Sequence, residues 1–296
     1  TNFRQILFGQ PSLTPEKSKR MIIILMTGAF AAALAVITIV LLLYFDVSVK
    51  SPSSFQKQTG IDILSSTNKI DLKKKDVMSI INDSSTSNKK TKRNRTNIFR
   101  EHLRKLRQSL DSLNHPVILF TSTEHGQGKT TLMQALAYSM SLSKKKVLLI
   151  DTNFCNNDLT IQTSARPVLE KFSVIGELKT SDLESAITHT NTPYIDVIGC
   201  EGGDYTPQEI LIAGNLLEHL DQLRKIYDFI LLEAAPMNSY TDTHELIKYV
   251  DGVVSIFSAE SVIKPLDINA IDYLKKLNGK FRGAILNKVE LDNMES

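Results

Sequence analysis

Cysteine is scarce in this sequence of 296 residues, which contains only Cys155 and Cys200. Two isolated cysteines provide neither the disulfide framework of small secreted domains nor the paired spacing of a zinc site. Their scarcity excludes both arrangements. It also suits a main domain that works in a reducing cytosol.

The sequence as a whole also has no large excess of positive or negative charge. The net charge is +3, but residues 50–97 contain eleven Lys and Arg against four Asp, which gives +7 there and leaves −4 elsewhere. A nucleic-acid-binding domain carries its basic residues on a folded face. Here they are concentrated in a polar segment, so we expect no nucleic acid among the partners.

Charged residues are absent from Met21–Phe45, which is rich in Ile, Leu, Val and Ala. At about 1.5 Å per residue, a helix of this length crosses the roughly 30 Å hydrocarbon core with some tilt. The run is also too long for a signal peptide. We predict a transmembrane helix over 21–45 that follows a periplasmic lead-in over 1–20. Because Thr1 is not Met, we expect either a processed chain or the C-terminal part of a longer one.

Residues 46–97 are dominated by Ser, Lys, Asn and Asp. Such a composition buries too little apolar surface to offset chain entropy. We predict a basic, flexible cytoplasmic linker over 46–97. Its clusters at 73–75 and 89–95 would contact anionic lipid headgroups, and a purely solvated tether is the alternative.

A glycine turn between an apolar strand and a helical pattern marks the main candidate site. Val117–Phe120 is the strand, and the turn has the composition of a phosphate-binding loop, although Thr123 stands where the strict pattern has glycine. Glycines allow a tight turn whose N–H groups face an anion at the start of a helix. The predicted nucleotide-binding residues are Gly126, Gln127, Gly128, Lys129, Thr130 and Thr131.

Carboxylates are expected beside this loop, because phosphoryl transfer requires Mg²⁺ to be held near the phosphates. Asp151 and Glu233 each end an apolar strand. Lys129 would reach the β- and γ-phosphates, and the Thr130 hydroxyl would ligate the metal. We therefore predict Thr130, Asp151 and Glu233 as metal ligands, and Lys129, Asp151 and Glu233 as catalytic residues.

Apolar strands alternate with helical patterns through the second half of the chain, which predicts an α/β fold with a mostly parallel sheet and helices on both faces. The predicted strands are Pro116–Thr121, Lys146–Asp151, Tyr194–Gly199, Asp228–Glu233, Gly252–Ser258 and Arg282–Asn287. The predicted helices are Phe99–Leu113, Lys129–Leu142, Thr206–Ile226, Asp242–Val250 and Pro265–Leu277.

With these elements placed, the sequence resembles the C-terminal part of a bacterial polysaccharide co-polymerase, or chain-length determinant, that carries a bacterial tyrosine kinase (BY-kinase) domain. That domain is a member of the MinD/ParA-like P-loop ATPases. The matching stretches are the Glu101-x₂-Arg104-x₂-Arg107 motif, the Walker A loop Thr121–Thr131, the Walker A′ strand Leu148–Asp151 and the Walker B segment Leu231–Pro236.

The resemblance implies a nucleotide-binding domain over 98–296 that takes ATP or ADP with Mg²⁺, with Asn287 at the position of a base-contacting residue. It implies a ring-shaped homo-oligomer whose interface includes Glu101, Arg104 and Arg107. It also implies a protein of the bacterial inner membrane that acts with a polysaccharide polymerase and export machinery.

Several positions depart from the family pattern. Asn153 replaces the second Asp of Walker A′, Cys155 replaces an Arg, Glu233 replaces an Asp that is one methylene shorter, and no tyrosine follows Val289. Loss or displacement of a carboxylate impairs chemistry more than binding. We therefore expect a regulatory subunit with a weak or inactive kinase domain.

Two other functions stay open from the sequence. One is an active tyrosine kinase that phosphorylates a partner or internal positions such as Tyr205, Tyr240 or Tyr273. The other is a membrane-anchored positioning ATPase of the MinD/ParA type, although Thr121–Glu124 lacks the lysine that this class has at the start of its loop.

Overall fold

The computed structural model describes residues 18–44, 49–70, 90–112, 117–277 and 279–294. The chain divides into two units, Thr1–Val47 and Ser48–Ser296. In the first, helix α1 spans Arg20–Tyr44. Its segment Arg20–Leu41 has a mean hydropathy of 2.6 and no buried residue, so it has the length and composition of a membrane-spanning helix.

The second unit is built on one sheet of eight strands in the order β1-β8-β7-β2-β6-β3-β5-β4. All neighbouring strands are parallel except β4, which runs antiparallel to β5. The predicted α/β class with a mostly parallel sheet is confirmed. The strands are β1 Ile63–Asn68, β2 Val117–Ser122, β3 Val147–Asp151, β4 Thr188–His189, β5 Ile195–Ile198, β6 Phe229–Glu233, β7 Gly252–Ser258 and β8 Phe281–Val289.

Helices cover both faces of the sheet, as continuous apolar strands require. On one face Leu103, Leu106 and Leu110 pack with Leu132 and Leu136 in a buried cluster, which confirms the predicted apolar face of the helix before β2. The α-helices of the second unit are α2 Pro52–Thr59, α3 Lys90–Ser112, α4 Lys129–Ser141, α5 Asp158–Thr163, α6 Thr180–Ala186, α7 Pro207–Ile210, α8 Leu220–Leu223, α9 Asp242–Leu246 and α10 Pro265–Lys275.

The prediction of a flexible linker over 46–97 is wrong for its described parts. Helix α2 is capped at its N-terminus by Ser51 and at its C-terminus by Gly60, whose φ is +62°. Phe55 is fully buried, and its ring lies 4.8 Å from that of Phe257. Strand β1 then pairs with β8. A few apolar residues anchor a segment whose average composition is polar; residues 71–89 lie outside the described part.

The predicted helix Thr206–Ile226 is also wrong, because the chain forms α7, a 3₁₀ turn at Leu216–His219 and the short α8. Gly214 interrupts the helix with a φ of +73°, and a Cβ there would lie 2.6 Å from the Val174 carbonyl oxygen. The backbone therefore turns where another segment approaches it closely. Elements α5, α6 and β4 had no predicted counterpart.

Candidate functional site

The loop between β2 and α4 has the backbone geometry of an anion-binding turn. Gly126 and Gly128 have φ values of +74° and +93°, which side chains rarely adopt. The first intrahelical hydrogen bond of α4 runs from Leu132 N to Gly128 O. The N–H groups of the first turn therefore have no partner within the helix, and they lie at its positive end.

Thr123 and Gln127 explain how the loop keeps its shape without the expected glycine at 123. The Gln127 side chain accepts from Thr123 N and donates to the Thr123 hydroxyl, both at 3.2 Å. Both residues are buried. The Gln127 side chain thus braces the loop from inside, so any contact of Gln127 with a phosphate would come from its backbone.

Lys129 and Thr130 begin α4 and face the two predicted carboxylates. Lys129 is 7% exposed. Burial lowers the pKa of its ammonium group, while the neighbouring carboxylates of Glu233 and Asp151 raise it. The Thr130 hydroxyl donates to Glu233 Oε1 at 2.6 Å. The side chain of Glu233 thus reaches the hydroxyl that the sequence assigns to Mg²⁺.

Asp151 and Glu233 end adjacent strands and are paired in register. Asp151 Oδ2 accepts from the Thr160 amide at 2.8 Å and the Thr160 hydroxyl at 2.6 Å, and Oδ1 accepts from Asn153 N at 3.2 Å. Burial raises the pKa of Asp151 to about 6 and that of Glu233 to about 7. Nearby Lys129 opposes the shift at Glu233.

The residues that replace the family's Asp and Arg bind each other. The Cys155 thiol donates to Asn153 Oδ1 at 3.0 Å. Burial raises the pKa of this thiol, while a hydrogen bond with the hydroxyl of Tyr240 lowers it. His125 of the loop packs edge-on against the Tyr240 ring at 6.0 Å. An amide and a thiol, those of Asn153 and Cys155, therefore lie where the family pattern places opposite charges.

Asn287 lies on the other side of the loop, at the end of β8. Its side-chain nitrogen donates to Gln127 O at 3.0 Å, and Lys288 Nζ donates to Gly126 O at 2.8 Å. The predicted contact of Asn287 with a base stays a prediction. Sequence reasoning missed the role of Lys288, because its partner Gly126 lies 162 residues away in the chain. It also missed Thr160, which follows Asp151 by nine residues without a pattern that marks the contact.

The predicted interface residues lie on α3 and not at the loop. Glu101 and Arg104 are exposed and form an ion pair with each other. Arg107 donates to Ser139 O of α4 at 2.6 Å and is half-buried. The structure thus brings Lys129, Thr130, Asp151 and Glu233 together. Of the three residues predicted at an interface, Glu101 and Arg104 are exposed and Arg107 is half-buried.

The pH dependence of stability tests the environment of Glu233. Its pKa in the folded chain lies above the ordinary 4.5, so the folded state holds this proton more tightly than the unfolded state does. The free energy of unfolding should therefore fall as the pH rises from 4.5 through about 7. Glu233→Gln should reduce this slope in urea unfolding at pH 5 to 8 with EDTA.

Exposed Glu177 provides the control, because Glu177→Gln should leave the slope unchanged. Asp151 keeps its own raised pKa, so some slope should remain in Glu233→Gln. An equal or steeper slope in that variant would show that Glu233 is ionised without penalty in the folded chain.

Comparisons with known proteins support the fold and the loop. A family model described as an AAA domain matches residues 115–271. The tyrosine-protein kinase CpsD of Streptococcus agalactiae is 25% identical over 175 residues, covering 58% of this chain and 75% of its own length. The putative tyrosine-protein kinase EpsB of Ralstonia nicotianae is 23% identical over 288 residues, 93% of this chain but 37% of that protein.

Among solved structures, the BceF tyrosine kinase domain superposes with a TM-score of 0.64 at 20% identity, covering 82% of this chain and 99% of that domain. At this identity the likeness shows the fold. Together with the family match and the loop geometry, it establishes that the chain belongs to the AAA domain family and that its P-loop domain has a fold like that of the BceF tyrosine kinase domain.

Proposed function

We propose that this chain is an inner-membrane subunit that regulates the polymerisation and export of a surface polysaccharide through a nucleotide-binding domain with weak or no kinase activity. The observation that carries the proposal is the loop 123–131, where Lys129 is buried near Glu233 and Asp151 and the half-buried Thr130 donates its hydroxyl hydrogen to Glu233. Such a loop binds the phosphates of ATP or ADP through backbone N–H groups and one lysine.

The oxygen atoms at the site fit Mg²⁺. The Thr130 hydroxyl and the carboxylates of Asp151 and Glu233 are hard ligands, and Glu233 Oε2 is buried with no hydrogen-bond partner among the described residues. Within that same part of the chain, no cluster of three or more His, Cys, Asp and Glu would hold a metal by itself. Phosphate oxygens would therefore complete the coordination shell of the metal, as is usual for Mg²⁺. The bound Mg²⁺ would in turn neutralise part of the negative charge on the phosphates.

Calorimetric titration of Mg·ATP and Mg·ADP into the full chain in detergent tests this site. We expect micromolar binding. Lys129→Ala should weaken it about a hundredfold, because hydrogen bonds to charged groups contribute roughly 1.5–3 kcal/mol. Lys146→Ala, an exposed lysine before β3, is the matched control. Absence of binding to the unchanged chain would refute a nucleotide-dependent function.

Weak chemistry is proposed because two groups at the site differ from those of the family pattern. Asn153 carries no charge, and its oxygen accepts the Cys155 thiol. The Glu233 carboxylate accepts a hydrogen bond from the Thr130 hydroxyl. Misplacing a catalytic group by about 1 Å costs roughly a hundredfold in rate. Loop amides and Lys129 would still bind phosphates.

Restoring both acids tests this explanation. Asn153→Asp with Glu233→Asp should raise the rate of phosphoryl transfer to water or to a tyrosine-containing peptide by about ten- to a hundredfold. Radiolabelled phosphate release and phosphosite mass spectrometry measure it, and the same pair with Lys129→Ala should show no gain. Efficient tyrosine phosphorylation by the unchanged chain would instead favour the alternative of an active kinase, which the names of the relatives support.

The anchor and the ring belong to the same proposal. Helix α1 would span the inner membrane and hold the nucleotide domain in the cytoplasm, where basic residues of 73–75 and 89–95 would meet lipid headgroups. Exposed Glu101 and Arg104 would contact a second copy in a ring. A membrane-anchored positioning ATPase is the remaining alternative; a permanent anchor argues against it, since that class cycles on and off a surface.

Oligomer size tests the ring. Arg104→Ala should shift the detergent-solubilised chain toward the monomer in light scattering, because a neighbouring copy would lose a charged contact. Lys105→Ala, equally exposed on α3, is the matched control. Arg107 is left intact because it bonds to Ser139 of its own chain. Equal sizes for both variants and the unchanged chain would remove the support for this interface.

A further inference from the structure

Strand β1 is connected to the phosphate-binding loop through the side chain of Asn287. The hydroxyl of Thr67 donates to Asn287 Oδ1 at 2.9 Å, and this contact is buried. Asn287 Nδ2 in turn donates to the carbonyl of Gln127 at 3.0 Å. Three residues far apart in the chain thus form one continuous hydrogen-bonded path from the edge of the sheet to the loop.

The orientation of the Asn287 amide is determined from both ends. Lys288 N donates to Asn287 Oδ1 at 2.8 Å, beside the Thr67 hydroxyl. An oxygen that accepts two donors leaves only the NH₂ group to face the loop. The fit there is close, since a Cβ at Gly128 would lie 2.2 Å from Asn287 Nδ2.

An irregularity in the strand pairing brings Asn287 to this place. Ser66 pairs with Leu286, and Asn68 pairs with Val289, so Thr67 lies opposite both Asn287 and Lys288. Lys288 has a φ of +60°, a backbone conformation that residues with a side chain rarely adopt. Bulges of this kind re-aim side chains beside functional sites.

Strand β1 is itself held firmly beyond Thr67. Lys69 N donates to Val289 O at 3.0 Å, and Asn68 Nδ2 donates to Arg95 O at 3.1 Å. The Thr67 hydroxyl therefore has a fixed position from which it constrains Asn287. The carbonyl of Gln127 accepts from Asn287, and Asn287 accepts from Thr67. The position of this carbonyl therefore depends on β1.

We propose that Thr67 is a positioning residue of the nucleotide site: through Asn287 it holds the Gln127 carbonyl so that the loop keeps the shape that receives phosphate. Residues 63–68 are then part of the site, although they precede the loop by more than fifty residues. The inference rests on the proposed nucleotide binding. It adds a second support to the loop, beside the bracing of Thr123 by Gln127.

The test uses the full chain in detergent and the substitution Thr67→Val, which removes the hydroxyl and keeps the shape. We expect Mg·ADP affinity by calorimetry to fall about tenfold. Hydrogen exchange of the loop amides 124–131 should accelerate in the nucleotide-free chain. Thr67→Ser retains the hydroxyl and should restore both values to within about twofold.

Thr59→Val is the matched control, because Thr59 is buried in the same segment and its hydroxyl donates to Phe55 O at 2.8 Å, away from the loop. It should lower the melting temperature without changing affinity or loop exchange. If Thr67→Val fails to fold, Thr67→Ala replaces it.

Unchanged affinity and loop exchange in Thr67→Val would overturn the proposal, as would equal effects of Thr59→Val. An unchanged chain that binds no nucleotide would instead refute the proposed function. Loop exchange would still decide between a positioning role and none for Thr67.

Discussion

The candidate site depends on the register of three parallel strands, β2, β6 and β3, at their carboxyl ends. Phe120 of β2 pairs with Glu233 of β6, which pairs with Asp151 of β3. The carboxyl ends of the strands therefore bring the loop and both carboxylates together across more than one hundred residues of sequence. If the register of β3 or β6 shifted by one residue, the carboxylate at the end of that strand would point to the opposite face of the sheet.

Burial gives this alignment its chemical character. The same loss of solvent that strengthens contacts around Lys129 raises the pKa values of Asp151 and Glu233. A buried anion is tolerable only beside donors or a cation, and here the donors are Thr130 and Thr160. The site thus combines a lysine, two buried acids and two hydroxyl donors even where the arrangement of acids has changed from the family pattern.

The loop itself is supported from two directions. Gln127 braces it from within through Thr123, and Asn287 holds it from the side of β8. The second support continues into β1, so residues 49–70 contribute to the fold. This explains why a few apolar residues such as Phe55 and Ile61 are buried in an otherwise polar stretch.

The sequence by itself determined the features that depend on local pattern. Uninterrupted apolar runs indicated buried parallel strands, and the glycines before Lys129 indicated the loop, because both signals lie within a few neighbouring residues. Only the tertiary structure decided the contacts of Thr67, Thr160 and Asn287, the inward position of Arg107, and the break at Gly214. Each of these depends on which other segment packs alongside. Such a contact leaves no periodic trace in one sequence, whether its partners are nine residues apart, as Thr160 and Asp151 are, or 220 apart, as Thr67 and Asn287 are.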